Sequence, residues 1–219
     1  MTLNSGDALS VGYLKVTAGT TAIGATEGSS LKVCKPVAAY ECGFVVDAGA
    51  KLVVDAPVAS DIRFDKWNAG AFTLRAPLVS TVSSSDTAYG ILFDGGSNTV
   101  EGAGSVSAPN SGVSIANGEP DNQPVYLVLR DEARLDAPRL WVQISRDRRA
   151  SVAMEQDGDG TQVQVGTGGV VLGYATSSLA EPTMYRLKRG MFAFVIYDRK
   201  THKMYGARDY FGIKPFNLA

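Results

Sequence analysis

The 219-residue sequence predicts an all-β protein, a right-handed parallel β-solenoid with ~21-residue coils and a C-terminal β-hairpin module. Three observations carry this. Gly28, Gly49, Gly70, Gly90 and Gly112 recur at intervals of 21, 21, 20 and 22 residues. A short run of strand-forming residues follows each glycine, and the first three runs end in Lys35-Pro36-Val37, Ala56-Pro57-Val58 and Ala76-Pro77-Leu78. Between residues 10 and 180 apolar side chains alternate with polar ones, and no capped amphipathic helix interrupts them.

Three segments follow in order. Residues 1–25 are expected to cap one end of the stack, where open strand edges invite unwanted pairing. Residues 26–180 form the repetitive body. At about 3.3 Å per strand residue, some 20 residues make one circuit of a small coil. The runs Leu31-Lys32-Val33, Leu52-Val53-Val54, Phe72-Thr73-Leu74, Ile91-Leu92-Phe93 and Val113-Ser114-Ile115 would then stack. Leu31, Leu52 and Phe72 form one expected interior ladder, and Val33, Val54 and Leu74 the next, with Lys, Asp, Arg and Ser facing outward. An antiparallel sandwich with regularly spaced turns is the alternative. The body's texture, clearest from Ala88 to Ser107, resembles right-handed parallel β-helix proteins, the pectin-lyase-like enzymes and bacteriophage tailspikes. That resemblance implies a trimer.

Residues 181–219 differ in composition. They hold 8 Lys/Arg against 3 Asp/Glu, which leaves the preceding 180 residues with 13 against 19. They also carry 8 of the 19 aromatic residues. An apolar strand ending at Asp198, a basic turn containing His202, and a return strand from Met204 make a β-hairpin. Phe192, Phe194 and Ile196 face one way, and Met191, Ala193, Val195 and Tyr197 the other. Both faces are apolar, so the strand needs cover on both sides, and Phe192, Phe194, Ile196 and Tyr197 are candidate assembly residues.

The stretch from Gly190 to Pro215 closely resembles the hairpin of the class II glutamine amidotransferase domain of asparagine synthetases. Gly190-Met-Phe-Ala-Phe and Ala207-Arg-Asp-Tyr-Phe-Gly-Ile-Lys-Pro215 carry the likeness, and Phe216-Asn217 departs from it. The resemblance implies an N-terminal cysteine nucleophile whose α-amino group is the base. Residue 2 here is Thr. Cys42-Gly-Phe-Val echoes the family's opening at an internal position, which would need cleavage after Glu41. Asn117-Gly118-Glu119 echoes its oxyanion-hole element, in the right order along the chain. The element carrying the glutamine-binding arginine is absent, because His202 stands alone as histidine.

Composition excludes other chemistry. A net charge of −1 lacks the basic footprint of a nucleic-acid binder. No apolar run approaches the ~20 residues of a membrane helix, so no membrane insertion is expected, and no signal peptide is visible. Cys34 and Cys42 read as free thiols rather than a disulfide framework. One histidine and two spaced cysteines cannot make a zinc site, and no cofactor is implied. Glu155, Asp157 and Asp159 around Gly158 and Gly160 are the alternative for a metal, as an oxygen cluster. Trp67, Tyr126 and Trp141 are candidates for stacking on sugar rings. Asp61, Asp65, Asp94, Asp131, Glu132, Asp136 and Asp147 could supply paired carboxylates for glycoside cleavage, though nothing singles out a pair. The reading that follows is a non-enzymatic component of an extracellular assembly: a bacteriophage tail spike, fibre or capsid-decorating protein, homo-oligomeric, bound to virion proteins or cell-surface glycan. A glutamine amidotransferase-related protein and a glycan depolymerase are the alternatives.

Overall fold

The computed structural model describes residues 1–34, 42–85, 89–117, 123–144, 152–158, 160–174, 183–187, 193–198 and 202–208, and their regular structure is all strand. Strands are numbered along the chain. An eight-stranded sheet contains β1 (Thr2–Leu3), β4 (Thr20–Ala25), β7 (Lys51–Val54), β10 (Ala71–Leu74), β13 (Gly96–Glu101), β16 (Val125–Arg130), β18 (Val152–Gln156) and β20 (Thr183–Leu187), in that spatial order. A twelve-stranded sheet has two arms. The first holds β2 (Ala8–Val11), β5 (Ser30–Val33), β8 (Val58–Ser60), β11 (Pro77–Ser80) and β14 (Ser105–Ser107). The second holds β3 (Tyr13–Val16), β6 (Gly43–Val46), β9 (Phe64–Trp67), β12 (Ile91–Asp94) and β15 (Val113–Asn117). The arms join at the long strand β17 (Arg134–Ile144), which pairs with β14 through its first half and β15 through its second. Strand β19 (Gln162–Tyr174) lies along β17, with a register shift between Ala137 and Arg139. A separate antiparallel pair joins β21 (Ala193–Asp198) to β22 (Lys203–Arg208).

Alternation builds the core. In the eight-stranded sheet Leu52, Phe72, Asn98, Leu127 and Met154 occupy one register row, and Val54, Leu74, Val100 and Leu129 the next. Leu31, Val58, Leu78, Val106 and Leu135 line the first arm. Each is at most 2% exposed, and each large aliphatic or aromatic side chain so buried contributes about 1.5–3 kcal/mol. Phe44 of the second arm packs edge-on against its neighbour Phe64 at 5.0 Å and reaches Phe72 of the eight-stranded sheet at 5.7 Å, tying the two sheets together.

The expected right-handed solenoid of ~21-residue coils is corrected by this topology. The strands lie in two sheets, and the larger one folds back at β17 until its edge strands β2 and β3 meet across Gly12, leaving it nearly closed. Paired positions stand between 20 residues apart, as Leu52 and Phe72, and 31 apart, as Met154 and Tyr185, so no constant coil length exists. The glycine period marks turns of similar length rather than equivalent positions. Gly49 and Gly70 precede strands of the eight-stranded sheet, whereas Gly28, Gly90 and Gly112 precede strands of the twelve-stranded one. Consequently Leu31 does not stack on Leu52. It pairs with Leu9 and Val58 instead. The sandwich alternative fails as well, because among the described residues every ladder outside the hairpin is parallel.

Candidate functional site

The second arm brings ionisable groups to both of its sides. Strand β9 reads Phe64-Asp65-Lys66-Trp67, and alternation sends Phe64 and Lys66 inward while Asp65 and Trp67 face outward. Lys66 lies in register with Phe44 and Phe93 and is fully buried. This overturns the expectation that Lys faces outward in such runs. Its Nζ donates to the carbonyls of Asn68 (2.7 Å), Gly70 (2.7 Å) and Gly95 (2.9 Å), which converge from two turns. Glycine is required there: a Cβ on Gly96 would lie 2.4 Å from the Gly70 carbonyl oxygen, and one on Gly95 2.7 Å from that of Asn68. Burial lowers the Lys66 ammonium to a pKa of about 7, partly opposed by the Asp94 charge.

On the outer side, Arg63 Nε and Nη2 donate to Asp65 Oδ2 at 3.0 and 2.6 Å. Asp65 is fully buried, its Oδ1 has no partner, and burial pushes its carboxyl up to about 6 against the pull of Arg63. Cys42 Sγ donates to the Arg63 carbonyl at 2.7 Å. The next residue must be glycine, since Gly43 has φ 112° and its Cβ would meet the Asp65 carbonyl oxygen at 2.1 Å. Burial, then the Asp65 charge, pushes the Cys42 thiol up to about 11. At pH 7 only about one such thiol in ten thousand is ionised. Nearby, the Arg63 guanidinium sits 5.7 Å from the Tyr89 ring, and Tyr89 meets Trp141 edge-on at 6.0 Å.

The structure scatters most of the residues singled out from sequence. Asn117 ends β15, in register three strands from β6, and Gly118 lies outside the described residues. Strand spacing and rise put Cys42 and Asn117 roughly 20 Å apart. Trp67 and Trp141 share the outer side of the second arm but stand three strands apart, whereas Tyr126, 42% exposed, belongs to the eight-stranded sheet. The three therefore form no common stacking platform. Glu155 and Asp157 are at the end of β18, with Asp159 outside the described residues, among which no three His, Cys, Asp or Glu side chains gather to hold a metal. Phe194, Ile196 and Tyr197 belong to β21, opposite Ala207, Tyr205 and Met204, while Phe192 lies outside the described residues. Sequence reading missed the Arg63–Asp65 pair and Lys66. Their one signal is three charges, Arg63, Asp65 and Lys66, inside the otherwise apolar-aromatic run Ile62–Trp67.

Residues 149–219 match the model of a family described as the glutamine amidotransferase domain. The C-terminal third is similar to that domain. A putative glutamine-hydrolysing asparagine synthetase of Mycobacterium tuberculosis is 34% identical over 116 residues, 53% of this chain and 14% of the relative. A protein of the same name from Mycobacterium bovis matches equally. Glutamine-hydrolysing asparagine synthetase 1 of Bacillus subtilis is 67% identical over 27 residues, 12% of this chain and 4% of the relative. The chain thus spans about a seventh or less of the length of these curated relatives. No solved structure matches.

These matches overturn the expected role as a phage tail, fibre or capsid-decorating protein at a virion or extracellular surface, since the relatives carry names of glutamine-hydrolysing enzymes. The likeness to pectin-lyase-like and tailspike β-helices gains no support from them either. Strand texture is shared by unrelated β proteins, whereas the hairpin motif is specific.

Proposed function

We propose that this chain is a class II glutamine amidotransferase-related protein that releases ammonia from glutamine. The observation that supports this best is the in-register antiparallel hairpin, Ala193–Arg208, inside the segment that matches the amidotransferase domain. Cys42 is the candidate nucleophile. Its thiolate would add to the side-chain amide carbon of glutamine, the C–N bond would break, and ammonia would leave with a proton. Water would then hydrolyse the thioester to glutamate and restore the thiol.

Three features make this turnover slow at neutral pH. The thiol is almost wholly protonated. An internal Cys42 has a peptide N–H where the family's mechanism uses an α-amino base. Asn117 stands too far away to donate to the oxyanion, and losing one such donor costs about 10²–10³ in rate. The test is glutamate release from glutamine by the full chain across pH 6–10. The expected rate rises about tenfold per pH unit up to pH 10 and is lost in Cys42→Ala. Absence of glutamate at every pH overturns the reading, and undiminished release by Cys42→Ala overturns the nucleophile.

A further inference from the structure

Cys42 and Asp65 are joined through both backbone and side chains. The Asp65 N–H donates to the Cys42 carbonyl at 3.0 Å, where β9 runs beside β6. The Cys42 thiol donates to the Arg63 carbonyl at 2.7 Å. Arg63 in turn gives Nε and Nη2 to Asp65 Oδ2 at 3.0 and 2.6 Å. These bonds close a ring from Asp65 through Arg63 to the thiol and back. Gly43 inside the ring leaves no room for adjustment, because a Cβ there would meet the Asp65 carbonyl.

The charges of the ring oppose ionisation of the thiol. Asp65 is fully buried and its Oδ1 has no partner, so little water screens its charge from its neighbours. The other ionisable groups about it are Arg63, Tyr89, whose ring centre lies 5.7 Å from the Arg63 guanidinium, and Asp94 on the next strand. Lys66 points to the inner side, and Tyr13 of β3 lies in register with Gly43. Asp65 and Arg63 are the charges that act on Cys42, and the carboxylate outweighs the guanidinium.

We propose that Asp65 is a positioning residue for Cys42. Through Arg63 it fixes the carbonyl that holds the thiol, and by its charge it keeps the proton on sulfur, so the cysteine is held latent. A neutral isostere of the carboxylate keeps the ring and frees the thiol to ionise. The consequence for glutamine hydrolysis rests on the reading of Cys42 as nucleophile, whereas the reactivity of the thiol does not. Asn copies the protonated acid, a form that the folded chain adopts below about pH 6, so Asp65→Asn keeps the fold.

The test is alkylation of the full chain by iodoacetamide from about pH 5 to about pH 10, in wild type and Asp65→Asn. Cleavage after Glu41 places Cys34 and Cys42 on separate peptides, so each is counted alone. The thiolate is the reacting species, so Cys42 should react about tenfold faster in the variant at pH 7 to 9. The gap should fade towards pH 5, where Asp65 is protonated in the wild type, and towards pH 11, where the thiol ionises in both. Cys34, whose thiol lies against the Val11 carbonyl, should react at one rate in the two proteins. Equal or slower reaction of Cys42 in the variant overturns the proposal. A gain that is constant with pH, or shared by Cys34, also overturns it, because a loosened strand improves access without moving the pH profile. Glutamate release should rise with the alkylation rate. A shifted alkylation profile with no glutamate from either protein upholds the proposal and removes Cys42 as the nucleophile.

Discussion

The eight-stranded sheet and the second arm of the twelve-stranded sheet wall the same core with different chemistry. The first fills its inner rows with Leu52, Phe72, Leu127 and Met154, and its buried polar members Asn98 and Gln156 carry no charge. The Asn98 amide nitrogen donates to the carbonyls of Gly95, Gly96 and Tyr126. The second arm buries a lysine among its inner aromatics and a carboxylate on its outer side. Both solutions are close-packed, but only the second places shifted ionisable groups at fully buried positions; the shifted carboxylate of the first, Glu101, lies at a strand end, held low by Arg75 and Arg130. A neutral amide needs hydrogen-bond partners alone, whereas a buried charge is also penalised for leaving water.

Titrating Lys66 should produce the largest contrast. Its folded pKa of about 7 lies below the ordinary 10.5, so between these values the unfolded chain binds the extra proton and stability rises with pH. The rise amounts to at most about 5 kcal/mol across that window. Urea unfolding at pH 7, 8.5 and 10 should show it in the wild type and not in Lys66→Met; parallel curves would remove the ammonium from the account. Phe72→Ala in the eight-stranded sheet should cost about 3–5 kcal/mol. That loss should be equal at all three pH values, and a pH-dependent loss would erase the distinction between the two walls. Asp65 gives the smallest of the three effects, with the opposite sign. Its folded pKa of about 6 lies above 3.8, so stability falls as pH rises from about 4 to 6, by at most about 3 kcal/mol. Asp65→Asn should flatten that slope in thermal melts, and a slope that survives would assign it to another group.

Much of the local structure was legible. The runs at Leu52 and Phe72 are strands in direct register, as expected, and the hairpin announced itself through its apolar strand, basic turn and return strand. Lys66 was not legible, because period-two alternation assigns a residue to a side of its strand without saying which side the core will claim. The phases of Phe64 and Lys66 are the same, so once Phe64 turned inward Lys66 had to follow, and the carbonyls of two tight turns met its ammonium. The separation of Cys42 from Asn117 was equally hidden. Their order along the chain matched the amidotransferase echo, while their distance depends on how many strands intervene within one sheet.

The sequence by itself determined short strands, a composition break near residue 180, and an amidotransferase-like hairpin. Each is a local matter, decided by side-chain alternation, turn residues and a dense motif. Only the tertiary structure decided which strand joins which sheet, that successive passes differ in length, and that one wall of the core holds an ammonium. Hydrogen-bonded pairing between strands 20 to 31 residues apart makes those choices, because backbone edges accept any extended neighbour and total burial, rather than glycine spacing, selects among them.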